Sequence, residues 1–166
     1  MKKALKILMV LTISLVISCG GKEEKKKESF TIKKKPETET VDKAPEKVAA
    51  SKRIDLTNKG VGSITSVELA AEVDQAMAAT GEEVYKKMCT ACHRPNKKFI
   101  GPAPKGIMER RTPEWIMNII LDPEGMVAND PLAKELLIEF NGSPMANQNL
   151  TEEEARAVLE YFRTLK

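Results

Sequence analysis

Cys89-Thr90-Ala91-Cys92-His93 is the stretch that decides this chain, and His93 is its only histidine. A Cys-x-x-Cys followed directly by His reads as a site for covalent attachment of a c-type haem. Each thiol forms a thioether to one vinyl group, and the neighbouring imidazole becomes an axial ligand of the iron. A structural zinc site wants four Cys/His ligands, and beyond this motif the chain offers only Cys19, about seventy residues away. A thioredoxin-type redox pair needs a strand–helix–strand setting, and no such alternation flanks the motif. One covalent haem c is therefore expected, held by Cys89 and Cys92 with His93 on the iron.

Upstream, Met1-Lys2-Lys3 leads into an apolar run that reaches Ile17. A basic start and a short apolar core make a secretory signal pattern, and Ile7 to Ile17 is too short for a span of about twenty residues. Val16-Ile17-Ser18-Cys19 closes the run and resembles the lipobox of bacterial lipoproteins. The expectation is a signal peptide over 1–18, lipid on Cys19, and export to the periplasmic face of a bacterial membrane. Haem c is attached on that same side.

From Gly20 to Lys59 the chain is rich in Lys, Glu, Thr and Pro and holds one aromatic residue, Phe30. Such a composition buries too little apolar surface to offset the entropy of ordering. Residues 19–60 are therefore predicted to be a disordered charged linker, reaching about 30–40 Å end to end. Over 61–79 a short helical extension is expected, with Ser66 as cap and Leu69, Ala70, Val73 and Met77 on one face.

Residues 80–166 carry helix signals and no convincing strand, so the fold class is all-α. Glu82 to Ala91 reads as the helix that delivers both cysteines, with Val84, Tyr85 and Met88 inward. Gly101-Pro102-Ala103-Pro104 fits neither helix nor central strand. Thr112-Pro113-Glu114 is a helix start, with cap, proline at the first position and an acid in the first turn. Asp122-Pro123 is read as the end of that helix. Asp130-Pro131 repeats the start signal, and Asn141-Gly142 stops that helix. Thr151 and Glu154 form a capping-box pattern that opens the last helix. A domain this small needs a staple, which a covalent haem supplies.

These features together resemble a monohaem class I cytochrome c, over a little over half the chain. Beyond the attachment motif, the resemblance rests on Gly81 and Tyr85 four residues apart in the first helix and on Leu159 and Phe162 in the last. It implies a small helical domain wrapped around one haem. It also implies that Gly81 permits close approach of the two terminal helices, and that the Pro102 carbonyl accepts the Nδ1 hydrogen of His93, fixing its tautomer. The methionine ligand of the family stands where Met145 does, in Asn141-Gly142-Ser143-Pro144-Met145. The inventory excludes a second histidine and leaves Met126, or an open iron, as alternatives. Arg110, Arg111 and Trp115 are candidates to reach the haem propionates.

The balance of charge over 80–166 is nearly even, 12 basic residues against 13 acidic. Lys86, Lys87, Arg94, Lys97, Lys98 and Lys105 nevertheless gather around the motif, where they suit an acidic partner. Nothing points to nucleic acid or to a small-molecule substrate. The expected function is one-electron transfer between a quinol-oxidising complex and a terminal reductase or oxidase, not enzymatic turnover. Thr112–Asn118 and Asn147–Leu150 resemble segments of small cytochromes that accompany respiratory reductases, including those of nitrous oxide. A gas-binding sensor with a labile sixth ligand, and a fixed haem subunit of a larger complex, are the alternative readings.

Overall fold

The computed structural model describes residues 48–166; the signal peptide, Cys19 and most of the predicted linker lie outside the described residues. Five helices make up the described part: α1 (Gln75–Met88), α2 (Pro113–Leu121), α3 (Pro123–Asn129), α4 (Pro131–Glu139) and α5 (Glu152–Thr164). A 3₁₀ turn at Ile107–Glu109 precedes α2. Among the described residues β structure is limited to two isolated bridges, Asp55 with Arg111 and Arg94 with Lys97.

Helix starts follow the local chemistry. Thr112, Asp122, Asp130 and Thr151 each cap a helix by accepting a backbone N–H, which satisfies one of the donors a helix leaves open at its start. Proline follows three of these caps at the first helical position, where its missing N–H costs nothing. At Thr151 the capping box is complete: Glu154 N–H donates to Thr151 Oγ1 at 3.1 Å and Thr151 N–H donates to Glu154 Oε2 at 2.9 Å. Asp122-Pro123 does more than end α2, since Asp122 Oδ1 accepts the Gly125 N–H at 2.9 Å and opens α3, a helix the sequence reading did not anticipate.

The terminal helices α1 and α5 pack directly on each other. A Cβ on Gly81 would stand 1.9 Å from the carbonyl oxygen of Ala157, so only a residue without Cβ permits this crossing. Beside it, the ring of Tyr85 lies 5.4 Å from Tyr161 and meets Phe162 edge-on at 5.8 Å. Leu159, Val158, Ile116 and Trp115 fill the core behind them.

Two expectations about the N-terminal side are corrected. Residues 61–74 form no helix, and α1 begins at Gln75, seven residues before the predicted start. Asp74 is the cap, with Oδ1 accepting Met77 N–H at 3.0 Å. Arg163 draws the carbonyls of Ala70, Ala71 and Glu72 onto its guanidinium, and a helix would need those carbonyls for itself. Residues 48–60, assigned to the linker, instead lie on the domain as a strap. Ala50 and Ile64 join the core, Ser51 binds Glu139, Arg53 pairs with Glu135, and Asp55 N–H donates to Arg110 O at 2.9 Å. Asn118, buried in α2, holds both polar groups of Ile64 and the carbonyl of Lys59. Of the charges in this segment, Arg53 pairs with Glu135 and Lys59 with Glu114.

Glu160 on α5 is fully buried. Burial opposes its charge, but hydrogen bonding from Arg156, the Asp74 N–H and the field of Arg163 outweigh that, so its pKa is lowered. A carboxylate with a depressed folded-state pKa adds stability above its unfolded value, and that stability is lost as the pH falls through the folded one. Glu160→Gln is expected to cost about 2 kcal/mol at pH 7. Urea unfolding at pH 7 and again below pH 4 checks this: the gap between variant and wild type should shrink on acidification.

Candidate haem site

Helix α1 ends at Met88, and the chain then turns tightly, with Cys92 N–H and His93 N–H both donating to Cys89 O at 3.1 and 2.9 Å. That turn brings Cys89, Cys92 and His93 to one end of an apolar cleft of about 1270 Å³, counted with its open mouth. Pro102 lies on the same wall, and Met145 also lines the cleft. Isoleucines of α2 and leucines of α4 supply much of the remaining lining.

His93 Nδ1 lies 2.8 Å from the carbonyl oxygen of Pro102. A carbonyl only accepts, so Nδ1 carries the proton, and Nε2 is left with its lone pair for a metal. The ring rests against Gly101: a Cβ there would come within 2.4 Å of Cε1. Gly101 N–H donates to Cys92 O at 2.9 Å, tying this loop to the attachment turn.

Burial pushes the Cys89 thiol up to about 11, with Cys92 adding to the shift. A thiol-exchange pair wants the opposite, a lowered pKa. Among the described residues the Tyr85 hydroxyl, buried at the cleft, has no hydrogen-bond partner. Its phenol is raised to about 12, by burial first and by its neighbours Cys89 and Tyr161 after that.

The methionines sort cleanly. Met126 is fully buried and its sulfur accepts the Val61 N–H at 3.1 Å; it lies outside the cleft lining. Met117 is core. Among the described residues Met145 is the one methionine that lines the cleft with His93. Arg110, Arg111 and Trp115 also line it, and each has donors engaged within the protein. The Trp115 indole N–H donates to Asp130 Oδ1 at 3.2 Å. Arg110 binds the carbonyls of Gly106 and Lys105. Arg111 reaches the carbonyls of Ala50, Arg53 and Arg110. It is 3 % exposed, and burial, with Arg110 next, lowers its pKa. Ser51, on the strap, is a cleft residue that no local sequence pattern marks.

Two thiols, an imidazole with a free Nε2, apolar walls and an orphaned hydroxyl together fit a covalently held haem, and the class is that of a small helical haem-binding domain. Residues 78–166 match the family model described as cytochrome c, and the chain belongs to that family. It is 33% identical over 89 residues to cytochrome c-551 of Ectopseudomonas mendocina, covering 53% of this chain and all of that one. With cytochrome c-551 of Stutzerimonas stutzeri it shares 33% over 105 residues, 58% of this chain and 88% of the relative. The solved structure of a cytochrome c from Rhodothermus marinus superposes with a TM-score of 0.61 at 39% identity, over 70% of this chain and 93% of that one. The chain carries one haem c, bound through Cys89 and Cys92, and is a haem-based electron carrier. Class I cytochromes c are in general exported to the periplasm. Among the described residues no helix is long and apolar enough to cross a membrane.

Proposed function

We propose that the protein is a membrane-tethered one-electron carrier of a respiratory chain, with His93 and Met145 as the axial pair. The observation that carries this reading is the placement of Met145 and His93 on the lining of one cleft, with Met126 committed elsewhere. The haem, when bound, supplies an iron that cycles between ferric and ferrous states, and His/Met ligation favours a raised potential. The Pro102 carbonyl orients His93 and strengthens it as a donor. The apolar walls keep water from the buried faces. Arg111, buried, acted on by the like charges of Arg110 and Arg53 and by the carboxylates of Asp55 and Asp130, and in no ion pair among the described residues, suits a propionate, with Arg110 also on the cleft lining. Trp115 then serves by stacking, its ring 5.2 Å below the Arg111 guanidinium.

Phe99 and Ile100 are half-exposed at the attachment end. Arg94 sits over the Phe99 ring and Lys98 over that of Phe140; with Lys97 and Lys105 they make an apolar spot with a cationic rim. This favours transient docking of an acidic redox protein. The donor is read as a quinol-oxidising complex and the acceptor as a terminal oxidase or reductase, that of nitrous oxide included. A lipid on Cys19 would hold the carrier on the periplasmic face of the membrane. With both axial positions filled, the protein passes electrons and turns over no substrate.

Optical spectra of the haem-loaded protein test this. Wild type should be low-spin, with the far-red methionine–iron band, and indifferent to carbon monoxide. Met145→Ala should lose the band and bind carbon monoxide in its ferrous form. Rapid carbon monoxide binding by wild type, or a band that survives in Met145→Ala, would overturn the axial assignment and favour a gas-binding role.

A further inference from the structure

The loop bearing Met145 is held by few polar contacts for its length. From Pro144 to Leu150 no backbone–backbone hydrogen bond is made among the described residues. Gln148 bonds only locally, to Ala146 O. Met145 and Leu150 pack against the core, but such packing is non-directional. One hydrogen bond ties the stretch to the rest of the fold: Asn147 Nδ2 donates to the carbonyl of Leu121 at 3.1 Å.

That carbonyl is open for a definite reason. It belongs to the last residue of α2. Its helical partner would be the N–H of Gly125, which donates to Asp122 Oδ1 instead. Orphan carbonyls at a helix end seek outside donors, and Asn147 supplies one. The other end of the same carboxamide is also in use: Asn147 Oδ1 accepts the Asn149 N–H at 2.7 Å. Asn149 is left-handed, with φ of 52°, a conformation asparagine tolerates, and an Asx contact of this kind stabilises the turn locally. A single side chain thus fixes both the shape of the loop and its attachment to the α2–α3 junction.

We propose that Asn147 is the positioning residue of the Met145 loop, clasping it to the end of α2 so that the thioether stays at the cleft. This rests on the reading of Met145 as an axial group. Asn147 is itself exposed, so its replacement leaves the core untouched.

The test uses full-length haem-loaded protein, with Asn147→Asp and Asn147→Ala beside wild type. Asp keeps the acceptor for Asn149 N–H but has no donor for Leu121; Ala removes both. Imidazole is titrated into the ferric form while the methionine–iron band is followed, and carbon monoxide is mixed with the ferrous form. Both variants are expected to show the band at pH 7 and to bind imidazole more tightly than wild type, Asn147→Asp about fivefold, the equivalent of one net hydrogen bond, and Asn147→Ala by more. Carbon monoxide binding should rise in step, with the thermal midpoint nearly unchanged. Imidazole affinity equal to wild type in both variants would overturn the clasp while leaving the Met145 assignment standing. A wild type without the band would remove the axial assignment, and the clasp with it.

Discussion

Gly81→Ala is expected to destabilise the domain by about 3 kcal/mol, a large share of the roughly 5–15 kcal/mol that holds a domain folded. On intrinsic helix propensity the change should help by about 1 kcal/mol. The geometry overrules it. The new Cβ would stand 1.9 Å from Ala157 O, 2.3 Å from Ala157 C and 2.8 Å from Val158 N, all backbone atoms of α5. A side chain in the way could rotate, but a helix has to move as a body. Moving α5 away from α1 breaks the Tyr85–Phe162 contact and the bond from Asp74 N–H to Glu160. Urea unfolding followed by far-ultraviolet circular dichroism reads the loss. A midpoint equal to that of wild type would mean the two helices separate without cost, and the crossing would not be the constraint described above.

Gly101→Ala is expected to act on the site and not on the fold. Its Cβ would sit 2.4 Å from His93 Cε1 and 2.8 Å from Nδ1. The ring has nowhere to retreat, because Nδ1 is fixed on the Pro102 carbonyl and Nε2 is the atom offered to the metal. Nor does the backbone yield easily, since Gly101 N–H is tied to Cys92 O. Tilting the imidazole breaks its orienting bond, and loss of such partners commonly weakens metal binding 10–100-fold. The expected result is a ferric protein with a substantial high-spin share and a lowered midpoint potential. A low-spin spectrum and potential identical to wild type would show that the ring does not depend on this glycine.

Where a residue's structural role is set by its immediate neighbours in sequence, it was legible. Thr112-Pro113, Asp130-Pro131 and the Thr151/Glu154 box name their helices by local chemistry alone, and Cys89, Cys92 and His93 meet because four residues of turn suffice to gather them. Gly81, Pro102 and Met145 were placed by resemblance: Gly81 stands at the helix crossing, Pro102 at the His93 ring, and Met145 lines the cleft with His93. The missing helix α3 is instructive: Asp122-Pro123 is the same dipeptide as Asp130-Pro131, but reading it as a stop hid that it is also a start. The strap was out of reach for a different reason. Its partners, Glu139 for Ser51, Glu135 for Arg53 and Asn118 for Ile64, lie far along the chain, and no local pattern announces them. The indole of Trp115 was expected to face a propionate, while the structure turns its N–H to Asp130, a cap residue whose second oxygen also accepts from Asn58.

The strap also separates two boundaries that usually coincide. The match to the family model begins at residue 78, but among the described residues the packed body already includes Ala50, some thirty residues earlier. The Rhodothermus marinus structure matches 70% of the chain, more than the homologous segment spans, so the likeness in fold runs back into this region. A shortened protein starting at the homology boundary would strip Arg111 of two of its carbonyl acceptors and leave Asn118 with unanswered polar groups in the interior. For anyone grafting this haem domain onto another carrier, or exchanging it with a relative, the transferable part is therefore the longer one, beginning upstream of Ala50.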